Sequence, residues 1–264
     1  MLLIITNVLN FSDMVGIEKK EIIKKLQQEI LSLEGFKSAT TDLQQEDIGF
    51  QLMADAFPRH TFPKGTIHEF ISQTAACATA VSGFVSSILS ILMNNDTPCL
   101  WISTKRSLFP AGLGYFGVQP DKIIFIDITK DKEALWVMEQ ALKCSALSAV
   151  VAELSEVSFT ESQRLQLAVE KSQVTGFLHR RKPRRENTLA CTARWKITPL
   201  ASYTENGLPG VGFPLWEVNL EKIRGGKPRK WALGWRDNKF ISIAAEQAPQ
   251  QRTLKKQAVC LNVS

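Results

Sequence analysis

The chain has 264 residues, 44% hydrophobic and 22% charged, the balance of a soluble globular protein with one sizeable core and not of a chain built around membrane spans. Five widely spaced cysteines (Cys77, Cys99, Cys144, Cys191, Cys260) include no CxxC pair, and only three histidines accompany them, which argues against a zinc centre and fits a reduced cytosolic setting. The formal charge of +6 is uneven: residues 1–178 carry 15 Lys+Arg against 20 Asp+Glu, whereas 179–264 carry 17 against 6. A basic half of this kind suits a polyanion such as nucleic acid, and it also suits a merely solvated surface.

The opening MLLIITNVLNF lacks a basic flank and a cleavage site and is too short to span a bilayer. Residues 1–13 read as a disordered leader, with either Met1 or Met14 as the start. Ile22, Leu26, Ile30 and Leu33 then recur at spacings of four, four and three between Lys and Glu, the pattern of an amphipathic helix able to dock on a core or a partner protein. Residues 37–63 are polar and turn-rich and end in FPRHTFPKG, so 14–63 are expected to be that helix plus a linker.

From residue 64 to 242 the pattern becomes that of the main domain. TIHEFI alternates like a strand, SQTAACAT is small and polar, and AVSGFVSSILSILM is a helical apolar run. CLWIS, KIIFIDI and SAVVAEL follow as buried-type strands, with helical stretches at about 110–116, 132–144 and 161–172. Alternating β and α elements predict a mostly parallel sheet with helices on both faces. TGFLHR, TLACTARWKI, PLWEVNLEKI and KWALGWRD come next, the last three joined by Gly/Pro/Asn turns, and predict an antiparallel C-terminal extension. Residues 243–264 read as a disordered tail.

A strand running into a small-residue loop and then a helix is where a phosphate-binding loop, GxxxxGK[ST], belongs. The segment from Ser72 to Thr79 reads S-Q-T-A-A-C-A-T. Ser72 and Cys77 replace the glycines, Ala78 replaces the lysine, and Thr79 alone keeps its type. Without the glycines the backbone cannot easily wrap phosphates, and without the lysine the β- and γ-phosphates lose their countercharge. A helix N-terminus remains, which by itself supports weak anion binding.

Over about residues 57–239 the chain resembles the RecA superfamily. KGTIHEFISQTAACATAVSGF resembles its strand, phosphate loop and helix, and CLWISTKRSLFPAGLGYFGVQPDKIIF resembles its next segment. In that segment Lys105 stands where the resemblance places a catalytic glutamate, and a lysine cannot orient the attacking water. SAVVAEL resembles the Walker B strand, with Glu153 at the magnesium-positioning place or, alternatively, as a structural residue at the strand end. The longer phrases FPKGTIHEFI, VVAELSEVSFTESQRLQLAVEKSQVTGFLHR, ARWKI and GLPGVGFPLWEVNLEKIRGGKP resemble the ImuA family, RecA- and SulA-related proteins of bacterial mutagenesis cassettes.

The resemblance implies an α/β, RecA-like P-loop NTPase core that has lost nucleotide chemistry, with no catalytic residue, no metal and no cofactor expected, residual Mg-ATP binding being left open. It implies a non-catalytic accessory factor of damage-induced (SOS) mutagenesis and translesion synthesis. The implied partners are an ImuB-like Y-family polymerase relative, an alternative replicative polymerase catalytic subunit and RecA. The implied place is the cytoplasm, at the nucleoid during repair. The alternatives are a SulA-like division inhibitor and a weak ATPase. The cluster His179-Arg180-Arg181-Lys182-Pro183-Arg184-Arg185 makes Arg180, Arg181, Lys182, Arg184 and Arg185 the candidates for single-stranded DNA contact. Lys222, Arg224, Lys227, Arg229 and Lys230 form a second basic cluster of open use. Trp195, Trp216, Trp231 and Trp235 read as core residues or as stacking platforms for bases.

Overall fold

The computed structural model describes residues 47–93, 97–203 and 212–242. The expected leader, the helix carrying Ile22, Leu26, Ile30 and Leu33, and the tail lie outside the described residues. Among those described, nine strands form one sheet: β1 (Ile67–Ser72), β2 (Cys99–Ser103), β3 (Ile123–Asp127), β4 (Ala149–Leu154), β5 (Thr175–Arg181), β6 (Ala193–Tyr203), β7 (Phe213–Ile223), β8 (Arg229–Arg236) and β9 (Lys239–Ser242). Their order is β3-β2-β4-β5-β1-β6-β7-β8-β9. Strands β1 to β6 run parallel, and β7, β8 and β9 are each antiparallel to the strand before. The mixed α/β architecture with an antiparallel C-terminal extension is therefore the one the strand pattern predicts.

Among the described residues three α-helices cover the two faces: α1 (Ala75–Leu92) on one, α2 (Asp131–Leu142) and α3 (Phe159–Ser172) on the other. Burial on both faces explains why the central strands are continuous apolar runs. In β4, Ala149 and Val151 enter the core under α1, while Val150 and Ala152 enter the core under α2 and α3. Helix α1 is long and apolar enough to cross a bilayer, but here Val81, Phe84, Val85 and Ile88 are buried against the sheet. Its Ser82, Ser86 and Ser87 hydroxyls donate to carbonyls one turn back, at Ala78, Ser82 and Gly83, so small polar residues sit in the core without orphaned groups. Helix α3 starts with a capping box between Ser158 and Glu161, a device worth about 1 kcal/mol.

The stretch before Pro63 departs from its reading as a linker. Residues Asp47–Ala56 and Pro58–His60 form 3-10 helices, and Phe50, Met53, Ala56, Phe57 and Phe62 are buried. Phe50 stacks on Phe62 at 4.4 Å between centroids, and Phe62 stacks on His68 of β1 at 4.7 Å. These apolar residues are scattered among turn formers, so no single periodicity shows in the sequence, and only the sheet face they cover, at β1 and β6, gathers them together. The β7–β8 turn holds the segment in place: Lys227 N–H donates to the Ala56 carbonyl at 2.9 Å. Trp195, Trp216 and Trp235 are buried and Trp231 is half-buried, which makes them core residues and not base-stacking platforms.

Candidate functional site

The four positions compared with a phosphate loop do not form one. Strand β1 ends at Ser72 and α1 begins at Ala75, so Gln73 and Thr74 are the whole connection. Thr74 caps the helix, its Oγ1 accepting from Cys77 N–H at 3.1 Å, and its carbonyl accepts from Ala78 N–H. Cys77, Ala78 and Thr79 are therefore already helical, and the Thr79 hydroxyl donates to Ala75 O within α1. The Ser72 hydroxyl is bonded to His179 Nε2 at 2.9 Å. The physical reason is local: a capping threonine followed by an alanine-rich run starts a helix at once, where glycines would have left a loop free to wrap an anion.

Glu153 is buried at the end of β4 and fully engaged. One oxygen accepts from Trp101 Nε1–H at 3.2 Å and the other from Arg181 at 3.0 Å. Burial pushes its carboxyl up from the usual range, and Arg181 opposes that shift. The same Arg181 nitrogen lies 3.0 Å from the Lys105 carbonyl, tying the segment after β2 to β5. Glu153 is thus a structural residue that anchors two neighbouring strands.

These groups border a cavity of about 310 Å³ at the carboxyl ends of β1, β2, β4 and β5. Ser72, Thr74, Ala75 and Ala78 line it from β1 and α1, Thr104 and Lys105 from the end of β2, Ser155 from the end of β4, and Arg181 and Lys182 from the end of β5. Open α/β sheets place ligands at this edge, where connections leave in opposite directions. The residues present do not fit a magnesium nucleotide. No lysine follows the turn, two residues cannot wrap a triphosphate, and the carboxylate that would position a metal is occupied by Trp101 and Arg181. Among the described residues no cluster of three His, Cys, Asp or Glu side chains could hold a metal ion.

The basic run after Leu178 divides in two. Arg180, expected to face DNA, is fully buried. It pairs with Glu69 of β1 at 2.9 Å and donates to Arg185 O and Asn187 Oδ1, each at 2.8 Å. Arg194 of β6 takes the second oxygen of Glu69 at 2.7 Å and donates to Asn187 O at 2.6 Å. Arg180 is thus removed from the contact set because a buried glutamate in β1 needs a countercharge. Arg181 is only partly exposed and is paired with Glu153, whereas Lys182, Arg184 and Arg185 are exposed on the loop that Arg180 and Arg194 hold. Glu69 inside the apolar run IHEFI was the sequence signal for a buried cation. Nothing in the sequence named which one. The second basic cluster, Lys222, Arg224, Lys227, Arg229 and Lys230, is exposed around the β7–β8 turn, with Arg229 3.4 Å from Asp55.

No family model matches the chain. Protein ImuA from two strains of Caulobacter vibrioides, NA1000/CB15N and ATCC 19089/CB 15, is 33% identical over 189 residues, covering 67% of this chain and 78% of the relative. The chain belongs to the ImuA family. In this ImuA-family member the edge that would handle a nucleotide is a two-residue turn, a sequestered glutamate and a cation-lined cavity.

Proposed function

We propose that this chain is a non-catalytic accessory factor of DNA-damage-induced mutagenesis and translesion synthesis, acting through protein and single-stranded DNA contacts. The carrying observation is the carboxyl edge of the sheet, where the Gln73–Thr74 turn is too short to wrap a triphosphate and the Glu153 carboxylate is taken up by Trp101 and Arg181 instead of being open to Mg²⁺. Membership of the ImuA family supports a role in mutagenesis, and the exposed Lys182, Arg184 and Arg185 support contact with a polyanion. The partners in this reading are an ImuB-like Y-family polymerase relative, an alternative replicative polymerase catalytic subunit and RecA, in the cytoplasm at the nucleoid. Surface for a protein partner exists at β3, an edge strand with Ile124 exposed, and at the exposed Phe109 and Trp136.

Co-purification from damaged cells tests the reading directly. It is expected to recover the ImuB-like protein or RecA, and deletion of the gene is expected to lower damage-induced mutation frequency. Recovery of neither partner together with an unchanged mutation frequency refutes it. Micromolar Mg-ATP binding abolished by Thr79→Ala would restore the ATPase alternative.

A further inference from the structure

We infer that the cavity at the carboxyl edge is a metal-independent phosphate site, with Lys105 and Lys182 as its ligating cations and Arg181 as a fixed positive wall. Four observations meet there. First, none of the nine residues lining the cavity is acidic, so a bound anion meets no repelling side chain in the wall. Second, Lys105 and Lys182 make no ion pair among the described residues and both are exposed. Their ammonium groups are free to turn toward a ligand. Third, the carboxylates nearest the cavity are already engaged: Glu153, 1% exposed, is shared between Trp101 and Arg181, Asp131 accepts from the Ser155 and Glu156 N–H groups, and Glu156 accepts from Arg184 N–H. Fourth, Thr74, whose Oγ1 accepts from Cys77 N–H and so keeps its own proton to donate, and Ser155 add hydroxyls of the type that satisfies phosphate oxygens.

The geometry of the turn fits the same ligand. Thr74 satisfies Cys77 N–H and Ala78 N–H, while Ala75 and Ala76, the first residues of α1, carry N–H groups that no carbonyl within the helix can reach. Those donors lie at the positive end of the helix, on the side of the cavity lined by Ala75. They reinforce a site whose charge comes from the lysines. Lys105 thereby gains a use: the residue that rules out water activation supplies the charge that a metal would otherwise provide.

A phosphate group reaches such a site either as part of a free nucleotide or as one link of a nucleic-acid backbone. The loop beginning at Lys182 also carries the exposed Arg184 and Arg185, further cations for neighbouring phosphates, which favours the backbone. The choice of the backbone rests on the single-stranded DNA contact proposed above, in which Lys182 also takes part, whereas the phosphate site itself and the mutagenic role have readouts of their own.

The test uses the full-length protein in the presence of a chelator. Fluorescence anisotropy follows a labelled single-stranded oligonucleotide, and pyrophosphate and ATP without magnesium serve as competitors. The variants are Lys105→Ala, Lys182→Ala and their combination, with Lys222→Ala in the second basic cluster as the control. Thermal melts identify any variant that has lost its fold. The double variant is expected to bind the oligonucleotide at least tenfold more weakly with a shallower salt dependence, and pyrophosphate is expected to compete on the parent protein but not on the double variant. Direct binding of pyrophosphate without any oligonucleotide binding keeps the phosphate site and assigns it to a small molecule. Oligonucleotide affinity and competition unchanged in the folded double variant, a strict magnesium requirement, or no binding of any phosphate compound overturns the inference.

Discussion

Replacing Arg180 with alanine separates its structural role from the DNA-contact role its sequence neighbourhood suggests. Its guanidinium is fully buried and bonds Glu69, Arg185 O and Asn187 Oδ1, and its Nε has no partner. Removing one member of a buried ion pair costs about 3–5 kcal/mol, chiefly because the other charge stays buried and unpaired. Arg194 remains on Glu69 at 2.7 Å, so the lower end, about 3 kcal/mol, applies here. For a chain of this size that is a fall of roughly 6–12 °C in Tm. The paired change Arg184→Ala with Arg185→Ala removes exposed side chains and is expected to stay within about 0.5 kcal/mol of the parent. Urea unfolding followed by tryptophan fluorescence measures both, since Trp195 and Trp216 lie in the core. A loss below about 1 kcal/mol for Arg180→Ala, or an equal loss for the surface pair, would refute the assignment of Arg180 to the fold.

Further outcomes follow from the same contacts. Burial lowers the pKa of His68 to about 4 and that of His179 to about 3. His68 Nδ1 accepts from Trp195 Nε1–H, and its Nε2 meets the Pro63 carbonyl, which requires the neutral ring. Between pH 6.5 and about 4 the unfolded chain therefore binds more protons than the folded one. Stability is complete above that window and falls as pH drops through it, by about 2 kcal/mol per histidine between pH 7 and 5; urea midpoints that do not move over this range would contradict the neutral assignment. Gly226→Ala would set a Cβ 2.2 Å from the Ala56 carbonyl oxygen, so a loss of about 1–3 kcal/mol is expected, and a neutral result in thermal melts would deny that this turn clamps residues 47–62. Glu153→Ala strands the Trp101 and Arg181 donors and is expected to cost about 2–3 kcal/mol, whereas Glu153→Gln, which keeps an acceptor, should cost less; the reverse order in unfolding experiments would refute the anchoring role.

The alternating strand and helix periods were enough to place β1 to β5 and their helices, because each element's burial pattern is local: both faces covered gives an unbroken apolar run, and a 3.6-residue stripe gives a helix. Ser72, Cys77, Ala78 and Lys105 likewise show in the sequence alone that the wrapping glycines, the phosphate lysine and the glutamate are missing, since a residue's chemistry needs no neighbours to be known. What the residue types could not show was the length of the turn after Ser72, which depends on where α1 starts, and hence on the Thr74 cap.

The division of HRRKPRR into a buried Arg180, a paired Arg181 and exposed Lys182, Arg184 and Arg185 was decided only by tertiary structure. Arg180 and Glu69 are 111 positions apart in the chain, and they meet because β1 and β5 are adjacent and in a particular parallel register. The same holds for Lys105, Arg181 and Lys182, which reach one cavity because β2 and β5 both end at the carboxyl edge. By itself the sequence determined which residue types follow β1 and β2 and which layers the chain folds into, through local pattern and residue type. Which charges are spent inside the fold and which remain for a ligand depended on strand order and register, set by the packing of elements far apart in the chain.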